Sequence, residues 1–165
     1  MKAIIYGWML FCLNSTVYAG NESLPQLARK EMEIKRVNFS DSLVKCQKAE
    51  VPIAKSAFSR LNLTGEQFKT ALKYHMLKAN FECSKSEMNE YLLSSSILAY
   101  VDNTARDGLL AGNELIIYDA VAMFRLKPEY MAIPAAQRDI LEAIPELKKP
   151  FDLIKTDQIL VCKSK

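Results

Sequence analysis

The chain has 165 residues, half of them apolar and a quarter charged, with a formal net charge of +3. That length can bury a sizeable core, while so weak and dispersed a basic excess argues against nucleic acid as a partner. One histidine and four cysteines, with no zinc-like spacing, nucleotide loop or catalytic signature among them, leave no metal site or cofactor to expect.

The first segment, "MKAIIYGWMLFCLNSTVYA", carries Lys2, an apolar run from Ala3 to Leu13 and a polar stretch ending in Val17-Tyr18-Ala19. This is the layout of a secretory signal with small residues at −3 and −1 of a cut after Ala19. The competing reading is an uncleaved anchor. Asn14-Ser15-Thr16 interrupts the run well short of the ~20 apolar residues a span requires. Cys12 follows bulky Phe11 rather than the small residue of a lipoprotein signal. The expected organisation is therefore a cleaved signal at 1–19 and one helical domain at 20–165. Without Lys2 the 22 basic residues become 21, against 19 acidic ones, for a net charge of +2. Sequons begin at Asn21, Asn38 and Asn62, but a short signal with one lysine favours a bacterial periplasm over eukaryotic secretion.

Beyond the signal, glycines are few and long periodic runs dominate. Leu24 to Val37 reads as an amphipathic helix that breaks near Asn38-Phe39-Ser40-Asp41. Ser40 or Asp41 would then cap a second, short helix carrying Val44, Cys46 and Ala49. Pro52 suits a first helical position, with Ile53, Ala54, Ala57, Phe58 and Leu61 on one face. Thr64-Gly65-Glu66-Gln67 has capping-box form and opens a helix with two apolar stripes. One holds Phe68, Ala71, Leu72, His75, Met76 and Ala79, the other Tyr74, Leu77 and Phe81, which marks a central helix. Ser84-Lys85-Ser86-Glu87 repeats the capping-box form and predicts a new helix. Its uncharged stretch "YLLSSSILAYV" would lie in the core, its serines allowing close approach or bonding to the preceding turn. Asp107-Gly108 predicts a turn, and Asn113 a cap for a helix through Leu126. Pro128, Pro134, Pro145 and Pro150 divide the last third. One more helix is expected from Pro134 to Ile144, with Ala136, Ile140, Ala143 and Ile144 on one face. "DQILVCKSK" reads as a short strand or a helical turn.

The fold class is thus all-α, a compact bundle of about six or seven helices with room for a short terminal strand. Phe68, Leu72, Met76, Tyr91, Leu92, Leu98 and Leu115 are expected in its core.

Four features bear on chemistry. His75, on an apolar stripe, is either an acid–base group paired with Asp119 or a core histidine satisfied by a carboxylate or backbone carbonyl. Asp119 shares an apolar face with Leu115, Ala122, Met123 and Leu126 and needs a hydrogen-bonding partner there. "DNTARDG" at 102–108 resembles a calcium loop only loosely. Arg106 occupies the fifth position and Asp107 the sixth, where an oxygen ligand and glycine belong. Lys148, Lys149, Lys155, Lys163 and Lys165 gather toward the C-terminus but are interspersed with acidic residues.

Three cysteines follow the signal: Cys46, Cys83 and Cys162. In an oxidising compartment two of them bridge. Cys46–Cys83 is the preferred pair, because Cys162 stands three residues from the terminus. It is left free or joins two subunits.

The function these features predict is binding rather than catalysis. An exported periplasmic protein that binds or inhibits another protein, similar in organisation to some secretion-system immunity proteins, is the leading expectation. A structural or chaperone-like accessory subunit of an envelope assembly is the alternative. A hydrolase using His75 and Asp119 is the third. The expected partner is a protein, with no nucleic acid, no membrane span after signal removal, and scope for a homo-oligomer.

Overall fold

A computed structural model of the chain describes residues 22–109, 113 and 117–156. The expected signal and cut site, Leu115, the "DQILVCKSK" end and Cys162 lie outside these. The fold is all-α. In chain order come α1 (Leu24–Lys48), a 3-10 turn η1 (Lys55–Phe58), α2 (Gly65–Val101), α3 (Tyr118–Met131), α4 (Ala135–Ala143) and a second 3-10 turn η2 (Pro145–Lys148). Among the described residues no helix is long and apolar enough to cross a membrane.

α2 is the organising element. Its 37 residues extend for about 55 Å at the helical rise. Thr64 caps it as its capping box requires: the Thr64 hydroxyl accepts from Gln67 N (3.2 Å) and the Gln67 side chain accepts from Thr64 N (3.1 Å). The second capping-box sequence opens no helix. Ser84 is buried inside α2, and its hydroxyl turns back to the Asn80 carbonyl at 3.3 Å. A serine satisfied by its own preceding turn has no need of a helix start. Ser94 and Ser96 do the same with Tyr91 O (2.9 Å) and Leu92 O (2.7 Å).

α1 is also continuous across the expected break. Ala28, Met32, Phe39, Ser42 and Cys46 are its buried residues, at helical spacing, so Phe39 keeps the chain on the core stripe while Asn38, Ser40 and Asp41 face solvent. Tertiary packing of that stripe overrides the local turn signal. Three ties show that α1 and the C-terminal half of α2 run antiparallel. Arg29 reaches Asp102 (2.7 Å), Lys35 reaches Glu90 (2.8 Å), and Cys46 is bonded to Cys83 across a Cα separation of 6.1 Å. Phe39 stacks on Tyr91, with ring centroids 6.1 Å apart. Met88 and Leu98 complete this first apolar cluster.

A second cluster surrounds the N-terminal half of α2. Ala71 and Leu72 pack there with Ile53, Phe58, Tyr130, Ile133, Leu141, Ile144, Leu147 and Phe151. Pro52 begins no helix. Val51 instead forms an isolated parallel bridge with Phe151, and Ile53 N donates to the Thr156 hydroxyl at 3.0 Å. Both groups are almost wholly buried, so the α1–α2 connection is tied to the end of the described chain. α4 begins just after Pro134, where a helix was expected to start, but the fully buried residue of that helix is Leu141, while Ala136 and Ala143 are exposed. Pro128 does not divide helices. It sits within α3, which continues to Met131, and residues 106–109 are helical where a turn was expected at Asp107-Gly108.

Of the expected core residues, Leu72, Tyr91 and Leu98 are buried. Phe68, Met76 and Leu92 are half-buried against the two clusters.

Candidate functional site

A connected set of ionisable side chains lies where α2, α3 and α4 meet. His75 is only 2% exposed. Its Nε2 is 3.2 Å from the Tyr130 hydroxyl, which is itself 3.2 Å from Glu142 Oε1. Lys78 Nζ donates to both oxygens of the same carboxylate at 3.2 and 3.1 Å. The tautomer follows from the donors available: Tyr130 has one proton, which the carboxylate takes, so His75 donates from Nε2 to the phenol oxygen. Tyr74 stacks on Tyr130 (centroids 4.2 Å apart), and the imidazole meets that ring edge-on at 5.3 Å.

Burial sets the electrostatics. Loss of solvent pushes the His75 pKa down to about 4, with Glu142 pulling it up and Lys78 pushing it further down. Burial likewise raises the Tyr130 phenol, reinforced by the Glu142 charge and hydrogen bond. For Glu142, burial acts upward, but the Lys78 hydrogen bond and the neighbouring charges prevail and hold the carboxyl below its ordinary range. A cavity of about 170 Å³ adjoins the cluster, lined by His75, Lys78, Ala79, Glu82, Glu142, Leu147 and Lys148. At neutral pH the set is a neutral imidazole, a neutral phenol and one lysine–carboxylate pair, oriented in a single chain of hydrogen bonds.

The sequence missed this constellation because Tyr130 and Glu142 belong to other helices and carry no motif. The partner it nominated for His75 is elsewhere: Asp119 is exposed in the first turn of α3, and the imidazole bonds Tyr130 instead. His75 is a core histidine satisfied by a phenol rather than by the expected carboxylate or backbone carbonyl. Asp102 makes an Asx turn, accepting from Thr104 N (3.0 Å) and Thr104 Oγ1 (2.6 Å) while pairing with Arg29. Among the described residues no group of three His, Cys, Asp or Glu side chains could hold a metal ion. Within the lysine-rich end, Lys155 pairs with Asp152 at 3.0 Å. Asn113 does not act as a cap; it is helical, and its amide oxygen accepts from the buried Ser95 hydroxyl at 3.2 Å.

Apolar side chains face outward on α1, on α3 and, through Leu93, Ile97 and Tyr100, on the C-terminal part of α2. On α3, the inward face carries half-buried Ala122, Met123 and Leu126 and buried Tyr130. Opposite it, Val121, Phe124, Pro128 and Met131 are exposed, and Ile117 extends the row just before the helix. The spacing of four, three, four and three places all five on one ridge. On α1, Leu27, Ile34, Val37 and Val44 are each about half exposed, on the side away from α2. A groove of about 630 Å³ runs beside the disulfide, between Asp41, Ser42 and Lys45 of α1 and Glu87 and Glu90 of α2.

Compared with protein-family models, curated proteins and solved structures, the chain gives no match.

Proposed function

We propose that the protein is an exported helical binding protein. Residues 1–19 form a secretory signal removed after Ala19, and residues 20–165 form one domain that works in the periplasm by holding another protein. The role that suits it best is inhibitory, as in an immunity protein that neutralises a delivered toxin.

The observation that carries this reading is the ridge of Ile117, Val121, Phe124, Pro128 and Met131. A helix whose outer face is apolar along its length while its inner face is already packed is built for contact, and exposed apolar patches of this kind mark protein interfaces. Phe124, 64% exposed, is the natural anchor. The Cys46–Cys83 bridge fits an oxidising compartment. The polar cluster has a structural part in this reading, since its imidazole is almost wholly buried and its groups are hydrogen-bonded to one another.

Affinity capture of the exported protein from its own envelope fraction, in parallel with a Phe124→Glu variant, tests the proposal. A stoichiometric toxin held by the native chain and lost from the variant is expected. Components of an envelope assembly lost in the same way would make the protein an accessory subunit. Identical recovery by both chains would overturn the ridge as the binding surface.

A further inference from the structure

We propose that the outer face of α1 is a self-complementary seam through which two copies of this chain pair antiparallel, about a two-fold axis passing between Ile34 and Val37. The inner face of α1 is committed to α2. The outer face carries Leu27, Lys30, Ile34, Val37, Asp41 and Val44, whose spacing of three, four, three, four and three is that of a coiled-coil seam. The four apolar members are 44–50% exposed and the Lys30 side chain is 70% exposed. Among the described residues Lys30 has one ion pair, a distant contact with exposed Glu22 at 3.8 Å. Asp41, exposed between this face and the groove beside the disulfide that it also lines, makes no ion pair among the described residues.

The order of charges selects both occupant and direction. In a parallel pair Lys30 would meet Lys30 and Asp41 would meet Asp41, two repulsive layers. Reversing one copy about the stated axis sets Leu27 against Val44, Lys30 against Asp41 and Ile34 against Val37. Every apolar position then meets an apolar one, and both charged layers become opposite pairs. A two-fold interface requires that whatever residue i meets on its partner also meets residue i in return, and this sequence satisfies that at all six positions. Flanking charges do not oppose the register. Glu31 would lie beside Asn38 of the second copy and Glu33 beside its Ser40, while Glu33 and Arg36 already pair within the chain at 2.7 Å, as do Glu31 and Lys35 at 3.6 Å. The seam from Leu27 to Val44 is about 27 Å long at the helical rise. That is a small interface, so association should depend on concentration.

The test is sedimentation equilibrium of the exported chain carrying Cys162→Ser, which removes any disulfide-linked pairing. The parent should form a reversible dimer. Lys30→Asp and Asp41→Lys each place like charges in both polar layers and should raise the dissociation constant at least tenfold. Both positions are exposed, so folding should survive, as circular dichroism will show. Mixing the two variants in equal amounts restores opposite charges in both layers and should restore a dimer containing one of each. A monomeric parent at all concentrations, a dimer unaffected by either charge change, or a mixture that stays monomeric would each overturn the proposal. None of these outcomes depends on the α3 ridge.

Discussion

The two ends of α2 are stabilised in different ways. Around its N-terminal half, Ala71, Leu72, Leu141, Leu147 and Phe151 are essentially without solvent contact, and the short elements supplying them converge from distant parts of the sequence. Around its C-terminal half pack α1 and, from the following segment, Ala105, Leu109 and Asn113. Among the described residues the cluster there is smaller, and a disulfide and two ion pairs supplement it. The first end relies on packing and a partly buried hydrogen-bond chain. The second, with the smaller described cluster, adds a covalent constraint.

Cutting that constraint should have the largest effect. The bridge spans a sequence separation of 37 residues, and closing such a loop is worth about 4 kcal/mol in the chain-entropy account. A Cys46→Ala, Cys83→Ala double variant should lose stability of that order in urea. Hydrogen exchange should locate the loss first in α1 and the 88–101 part of α2, with the Ala71–Ala79 turn protected longest. Uniform acceleration along the whole of α2 would show that the two ends unfold as one.

Packing should dominate at the other end. Leu141→Ala removes a fully buried side chain and should cost about 3 kcal/mol. Met32→Ala, in the sparser cluster, should cost less, because α1 can settle onto the vacated space. Equal losses would remove the distinction between the two ends.

Acid sharpens the same contrast, because the ionisable cluster belongs to the packed end alone. His75 has an ordinary pKa of 6.5 and is held down to about 4 in the fold, so between these values the unfolded chain binds a proton the folded chain refuses. Its contribution is fully present above pH 6.5, is lost as pH falls toward 4, and changes no further below that. The full loss is about 3 kcal/mol by linkage. Glu142, also depressed, acts in the same direction at lower pH. His75→Gln keeps a donor near the phenol but cannot titrate. Urea midpoints measured from pH 7.5 to 4 should fall less steeply in that variant, and parallel curves would refute the assignment.

How far the sequence predicts each end follows from the range of its contacts. Periodicity and the Thr64 capping box define the start of α2 because both are local signals. Periodicity likewise gives Leu72, Tyr91 and Leu98 as core. Cys46–Cys83 is the preferred of three pairings because Cys162 stands so near the terminus, and the structure contains that bond. Local signals mislead where packing outweighs them. Phe39 carries α1 through a polar stretch, and Ser84 bonds its own preceding turn rather than starting a helix. The polar cluster was only half legible. His75 was evident as an unusual residue on an apolar stripe, but its partners come from positions 130 and 142, on helices whose approach to α2 depends on tertiary packing.

That approach can be probed at one atom. Tyr130→Phe removes the hydroxyl that stands between His75 and Glu142 and leaves both aromatic contacts of the ring with Tyr74 and His75 in place. Glu142 keeps Lys78 as its donor, so the carboxylate is not stranded. The imidazole is: its Nε2–H loses its acceptor in a site with almost no solvent, which costs about 2 kcal/mol. Because the acceptor has gone but the burial remains, the loss should appear at pH 7.5 as a lowered urea midpoint with an unchanged slope. Combining the change with His75→Leu, which removes the stranded donor, should return part of that loss. The coupling between the two positions in a double-mutant cycle measures the hydrogen bond directly, and strict additivity would show that His75 and Tyr130 are neighbours without being partners.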